Sequence, residues 1–98
     1  MTQTVKAVGI PWYYRQEYRR ILDIMEDADK LPATYDRWIK SAETVERDLK
    51  SKGHIVVRAI INPDEFAAWC RSRGLNINAN ARMQWGNEAA MRHVKGSH

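Results

Sequence analysis

Asn62-Pro63-Asp64-Glu65-Phe66-Ala67-Ala68-Trp69-Cys70-Arg71-Ser72-Arg73-Gly74-Leu75 carries a full set of instructions for one helix. Asn62 can accept from the free N–H groups of a first turn, and Glu65 can reach back to the Asn62 N–H. Pro63 stands where its missing N–H costs nothing. Phe66, Trp69, Cys70 and Arg73 fall at i, i+3, i+4 and i+7, so the first three define a buried face. Gly74 can take the left-handed conformation that ends the helix, and Leu75 can fold back over the last turn. The apolar run from His54 to Ile61 just ahead reads as the best strand of the chain. Strand, turn and helix form a unit on which the rest can pack.

Working outward, Thr34 can cap an earlier helix whose stripe holds Tyr35, Trp38, Ile39, Ala42, Val45 and Leu49, with Gly53 ending it. Before it, Tyr14, Tyr18, Ile21, Leu22 and Met25 recur at helical spacing, and the break at Asp27 to Pro32 separates the two. Thr4 to Ile10 alternates like a strand that Pro11 ends or marks as an edge. Beyond Gly74, Asn76 to Asn80 offers caps for a last helix. Its face holds Ala81, Met83, Trp85, Ala89, Ala90 and Val94 and is interrupted by Gly86. The order expected is β-α-α-β-α-α, an α+β fold. With each connection counted as one reversal, the two strands come out antiparallel, packed against four helices.

The 98 residues suffice for one core, so residues 1–95 are read as a single compact domain. Gly96-Ser97-His98 has the composition of the start of an expression tag and is set apart. No apolar run is long enough to span a bilayer, and the N-terminus lacks a signal-peptide core, so no membrane partner is expected. A single cysteine excludes an internal disulfide and fits a reducing, cytoplasmic setting.

The net charge of +4 is unevenly distributed. Residues 1–65 balance, while residues 66–98 hold Arg71, Arg73, Arg82, Arg92 and Lys95 against Glu88 alone. That basic third supports nucleic-acid binding as an alternative function, with a weak helix-turn-helix rhythm over 66–90 that presents Arg82 and Gln84 outward. A solvated surface is the simpler reading.

Two other groups draw the eye. Trp12, Tyr13, Tyr14, Tyr18 and Tyr35 concentrate aromatics near the end of the first strand. Trp12 and Tyr13 fall outside the helical stripe, and beside Arg15 and Arg19 they could anchor an interface. Asp23, Glu26, Asp27 and Asp29 form an acidic patch where a helix C-terminus prefers positive charge. It could dock a basic partner, but it lacks calcium-loop spacing, and no metal or cofactor is expected. Cys70 with His54 is the one pair that could suggest a nucleophile. Cys70 shares its face with Phe66 and Trp69, so it reads as a core residue, and no catalytic residue is assigned.

Ile10-Pro11-Trp12-Tyr13, Ala28-Asp29-Lys30-Leu31-Pro32-Ala33-Thr34-Tyr35, Phe66-Ala67-Ala68-Trp69-Cys70 and Asn87-Glu88-Ala89-Ala90 resemble stretches of small uncharacterised proteobacterial proteins. The resemblance covers most of residues 9–91. It implies a bacterial intracellular chain and carries no activity, ligand or catalytic residue. The functional expectation is a non-enzymatic interaction module that forms a homodimer through exposed sheet edges and surplus aromatics, with a protein partner not yet identified.

Overall fold

The computed structural model describes residues 6–95. The expectations for Thr4, Val5 and Gly96-Ser97-His98 therefore lie outside the described residues. Strand β1 (Ala7–Trp12) leads through a 3-10 turn at Arg15–Glu17 into helix α1 (Tyr18–Ile24). A second 3-10 turn at Ala28–Lys30 precedes helix α2 (Tyr35–Ser51), then strand β2 (Ile55–Ile60), helix α3 (Pro63–Ser72) and helix α4 (Ala79–Lys95). The two 3-10 turns had no place in the expected order.

The two strands pair in parallel, with Ala7 beside Ile55 and Trp12 beside Ile60. The antiparallel expectation is thus overturned, and the cause is helix length. Counting each helix as a full traverse gave one reversal too many. At seven residues α1 is only about 10 Å long, whereas the 17 residues of α2 span about 25 Å. Of the two helices between the strands only α2 is long enough to run the length of the sheet, so β1, α2 and β2 form a crossover unit.

Strand β1 also continues through Pro11 to Trp12. The Lys6 carbonyl accepts from Ile55 N at 2.9 Å and the Trp12 carbonyl from Ile61 N at 2.8 Å. Even-numbered residues of β1 therefore face β2, and Pro11, which has no N–H to offer, points to the outer edge.

The organising helix forms as its sequence dictates. Asn62 Oδ1 accepts from Glu65 N at 3.0 Å, and Pro63 opens the helix. At the far end Gly74 adopts φ +66°, and the N–H groups of Gly74 and Leu75 bond back to the Arg71 and Cys70 carbonyls. That is a full Schellman closure. The expected return bond from the Asn62 N–H to Glu65 is not among those of the described residues.

Helix α4 lies chiefly against the sheet, α2 against β2 and α1 against α3. Gly86, expected only to weaken α4, is what lets it approach. A Cβ at Gly9 would stand 1.9 Å from the Gly86 oxygen, and one at Gly86 would stand 2.6 Å from the Gly9 oxygen. Strand and helix backbones touch where they cross, which only a glycine pair allows.

The aromatics beyond the first strand are walls of the core. Trp12 meets Trp38 edge-on at 5.2 Å, Tyr13 lies 4.7 Å from Trp38, and Tyr18 meets Tyr35 at 5.7 Å. Trp12 and Tyr13 are 4% and 2% exposed, so the expectation that one of them stands on the surface fails. Arg58 lies 4.0 Å over the Trp12 ring while holding Glu46 of α2 through two bonds of 2.7 and 2.9 Å. A charged residue thus seals an aromatic one. Tyr14 moves the other way. It precedes the 3-10 turn in an extended conformation, which breaks the helical phase and leaves it 46% exposed.

Candidate functional site

Two features of the described residues combine shape with unusual chemistry, and both involve α4. The first lies on its inner side. Asn78 starts the helix, its Oδ1 accepting from Ala81 N at 3.3 Å and its carbonyl from Arg82 N at 3.0 Å. Arg82, in the first turn that follows this cap, is turned inward to 8% exposure. Arg82 Nη1 and Nη2 donate to the two oxygens of Asp27 at 2.8 and 2.9 Å, and Nη1 also approaches Met25 Sδ at 3.2 Å. A charge this deep requires such a partner. The guanidinium bonds hold the Asp27 carboxyl below the usual carboxylate range.

Beside this pair stands Tyr13, whose hydroxyl is pushed up to about 12 by burial. Its carbonyl accepts from Tyr35 at 3.2 Å, while the Tyr18 hydroxyl donates to the Pro32 carbonyl at 2.6 Å. A cleft of about 270 Å³ opens between the end of β1 and α2, with Ile10, Pro11, Trp38 and Val45 among its apolar lining and Tyr13, Ser41 and Arg82 as polar members.

The acidic patch is divided by this arrangement. Asp27 is consumed by Arg82, while Glu26 Oε2 accepts from Ile77 N at 2.9 Å and the Glu26 N–H donates to the Ile77 carbonyl at 2.8 Å. Asp23 and Asp29 stay exposed. The acidic turn therefore clasps the start of α4, and the charges that seemed misplaced at the end of α1 answer groups 51 and 55 residues away. Among the described residues, no group of three or more His, Cys, Asp or Glu could hold a metal ion.

The basic set is likewise split. Arg82 is buried, contrary to its expected exposure on a recognition helix. Arg73 lies 4.6 Å over Trp69 and binds Glu88, with Nη2 3.0 Å from Oε1. Arg71, Arg92 and Lys95 are exposed. Of the aromatic set, Arg15 pairs with Asp36 at 2.7 Å on the surface, and Arg19 is exposed, apart from the buried Trp12 and Tyr13. Cys70 is fully buried in the core, as expected of a small apolar residue, and burial pushes its thiol up. No hydrogen bond among the described residues joins it to His54.

The second feature is the outer side of α4, which the sequence reading did not single out. Met83, Met91 and Val94 are 61%, 58% and 52% exposed. With Asn87 they fall within an arc of about 80° at 100° per residue. A groove of about 510 Å³ runs along this side, lined by Ala7, Asn87, Ala90, Met91, Val94 and Lys95. The helical spacing of two methionines and a valine was legible. Met83 and Val94 fall on the face expected to pack inward and Met91 on no assigned face, because spacing alone does not tell the inward phase of α4 from the outward one. No helix among the described residues is long and apolar enough to cross a membrane. In comparisons with known proteins, no family model, no curated protein and no solved structure matches the chain.

Proposed function

We propose that this chain is a non-enzymatic interaction module that pairs with a second copy of itself through the outer side of α4. The observation that carries the reading is a stripe without charge in a chain that is 29% charged. Asn80, Met83, Gln84, Asn87, Met91 and Val94 follow one another along α4 with no ionisable group among them. Exposed apolar groups in such an array favour burial against a matching surface.

Charge at the two ends supports a second copy as the occupant. The start of α4 is held by the acidic turn with exposed Asp23, Glu26 and Asp29, whereas its last turn carries Arg92 and Lys95. A two-fold pair of antiparallel α4 helices brings each basic end to the acidic end of its partner. A parallel pair would bring like charges together. The stripe is narrow, so the pair is a weak, reversible one.

Sedimentation equilibrium tests this. The wild-type chain should approach twice its 11.4 kDa mass at high micromolar concentration, and Met91→Glu should remain at 11.4 kDa with unchanged circular dichroism. A wild type that stays monomeric throughout contradicts the proposal. So does a Met91→Glu variant that associates as well as the wild type.

A further inference from the structure

Beyond self-association, the cleft on the other side of α4 has the chemistry of a small-molecule site. Tyr13 lines it and is 2% exposed, yet its hydroxyl makes no hydrogen bond among the described residues. No fully enclosed polar side-chain atom is left unpaired there, so this hydroxyl keeps contact with open space. Arg82 lines the same cleft, and its Nε–H also has no acceptor among the described residues. Of the three polar residues lining the cleft, Tyr13, Ser41 and Arg82, the enclosed Tyr13 thus keeps a donor that no protein acceptor takes. A donor that reaches open space from an otherwise enclosed ring is completed from the cleft side, by water or by a ligand.

The charge of the floor narrows the class of ligand. Asp27 already neutralises Arg82 through two bonds, so an anion would gain little there and would lose its hydration. The walls are largely apolar: Ile10 and Pro11 from β1, with Trp38, Ala42 and Val45 from α2, which also supplies the Ser41 hydroxyl. At about 270 Å³ the cleft is at the small end for a ligand site. We infer that the cleft between β1 and α2 binds a small, uncharged, flat molecule through its one hydrogen-bond acceptor, which accepts a hydrogen bond from the Tyr13 hydroxyl while its apolar body lies against Trp38 and Val45. The hydroxyl, pushed up to about 12, remains a donor across the physiological range.

Acetophenone serves as the probe, with ethylbenzene as the same shape without an acceptor and benzoate as the anionic counterpart. Backbone amide NMR shifts are followed as each is titrated into the full chain. Acetophenone should give saturable shifts at residues 10–13, 41–45 and 82, and ethylbenzene and Tyr13→Phe should each bind about fivefold more weakly. Benzoate should be weakest of all. Tyr13→Phe removes a hydroxyl without a partner and should fold with unchanged thermal stability. Val45→Phe, at the exposed rim, should close the mouth and abolish the shifts. The inference is overturned if acetophenone produces no saturable shift in the cleft. It is also overturned if Tyr13→Phe and ethylbenzene match the wild type with acetophenone, or if benzoate binds most tightly.

Discussion

The inner and outer sides of α4 obey opposite rules although they belong to one helix. Inside, three positions are fixed by named partners: Gly86 by Gly9, Arg82 by Asp27, Trp85 Nε1 by the Ile60 carbonyl at 3.2 Å. Outside, Met83, Met91 and Val94 are large apolar groups, each more than half exposed. The same residue class would have made a serviceable core face. What decides is the crossing at Gly9 and Gly86, which admits no side chain and so sets the rotation of the whole helix. The lesson is that the smallest residues orient the helix and leave its larger apolar ones to face outward.

Breaking the inner side should have the greatest effect. Gly9→Val puts its Cβ where the Gly86 carbonyl oxygen stands, so the helix must lift from the sheet. A loss of about 4 kcal/mol is expected in urea unfolding, among the largest of single substitutions. Gly86→Ala is the finer probe. Helix propensity would favour alanine by about 1 kcal/mol. The 2.6 Å approach to the Gly9 oxygen should outweigh that, giving a net loss of stability.

Next comes the ion pair. Arg82→Met leaves Asp27 enclosed without its partner and should cost about 3 kcal/mol. The pH dependence has a definite sign. Asp27 is held below its ordinary value of about 3.9, so its contribution is complete above that pH. The contribution is lost as pH falls from there through the depressed folded-state value. Thermal melts should therefore show a steeper acid loss below about pH 4 for wild type than for Asp27→Asn.

The sequence disclosed most where the physics is local. Asn62 and Gly74 act within one turn of their neighbours, so the ends of α3 could be read residue by residue. Strand direction depended on whether α1 crosses the sheet, and its seven residues fell short of doing so. Tyr14 departs from the expected stripe because it stands ahead of the 3-10 turn in an extended conformation, where helical periodicity does not apply. Asp27 was flagged as breaking a local rule. Its compensation is Arg82, 55 residues away, and no spacing argument reaches that far. The cleft beside Tyr13 was hidden for the same reason, since β1, α2 and α4 each supply part of it.

The outer side should be nearly silent in stability. Met91→Ser is expected to shift unfolding by less than about 0.5 kcal/mol at concentrations where the chain is monomeric. Any larger loss would mean that the stripe belongs to the core after all.

Disulfide trapping tests the pairing most directly. Asn87 lies midway along the stripe, between Asn80 and Val94, so in an antiparallel two-fold pair it faces its own counterpart. Under mild oxidation Asn87→Cys should form a covalent dimer readily, and native Cys70, fully buried, should not compete. Val94→Cys should not trap with itself, but it should trap with Asn80→Cys when the two variants are mixed. Dimer from the mixture and from Asn87→Cys, with none from a cysteine at exposed Lys40, is the predicted result. Equal trapping at position 40, or efficient trapping of Val94→Cys with itself, would contradict the antiparallel α4 pair.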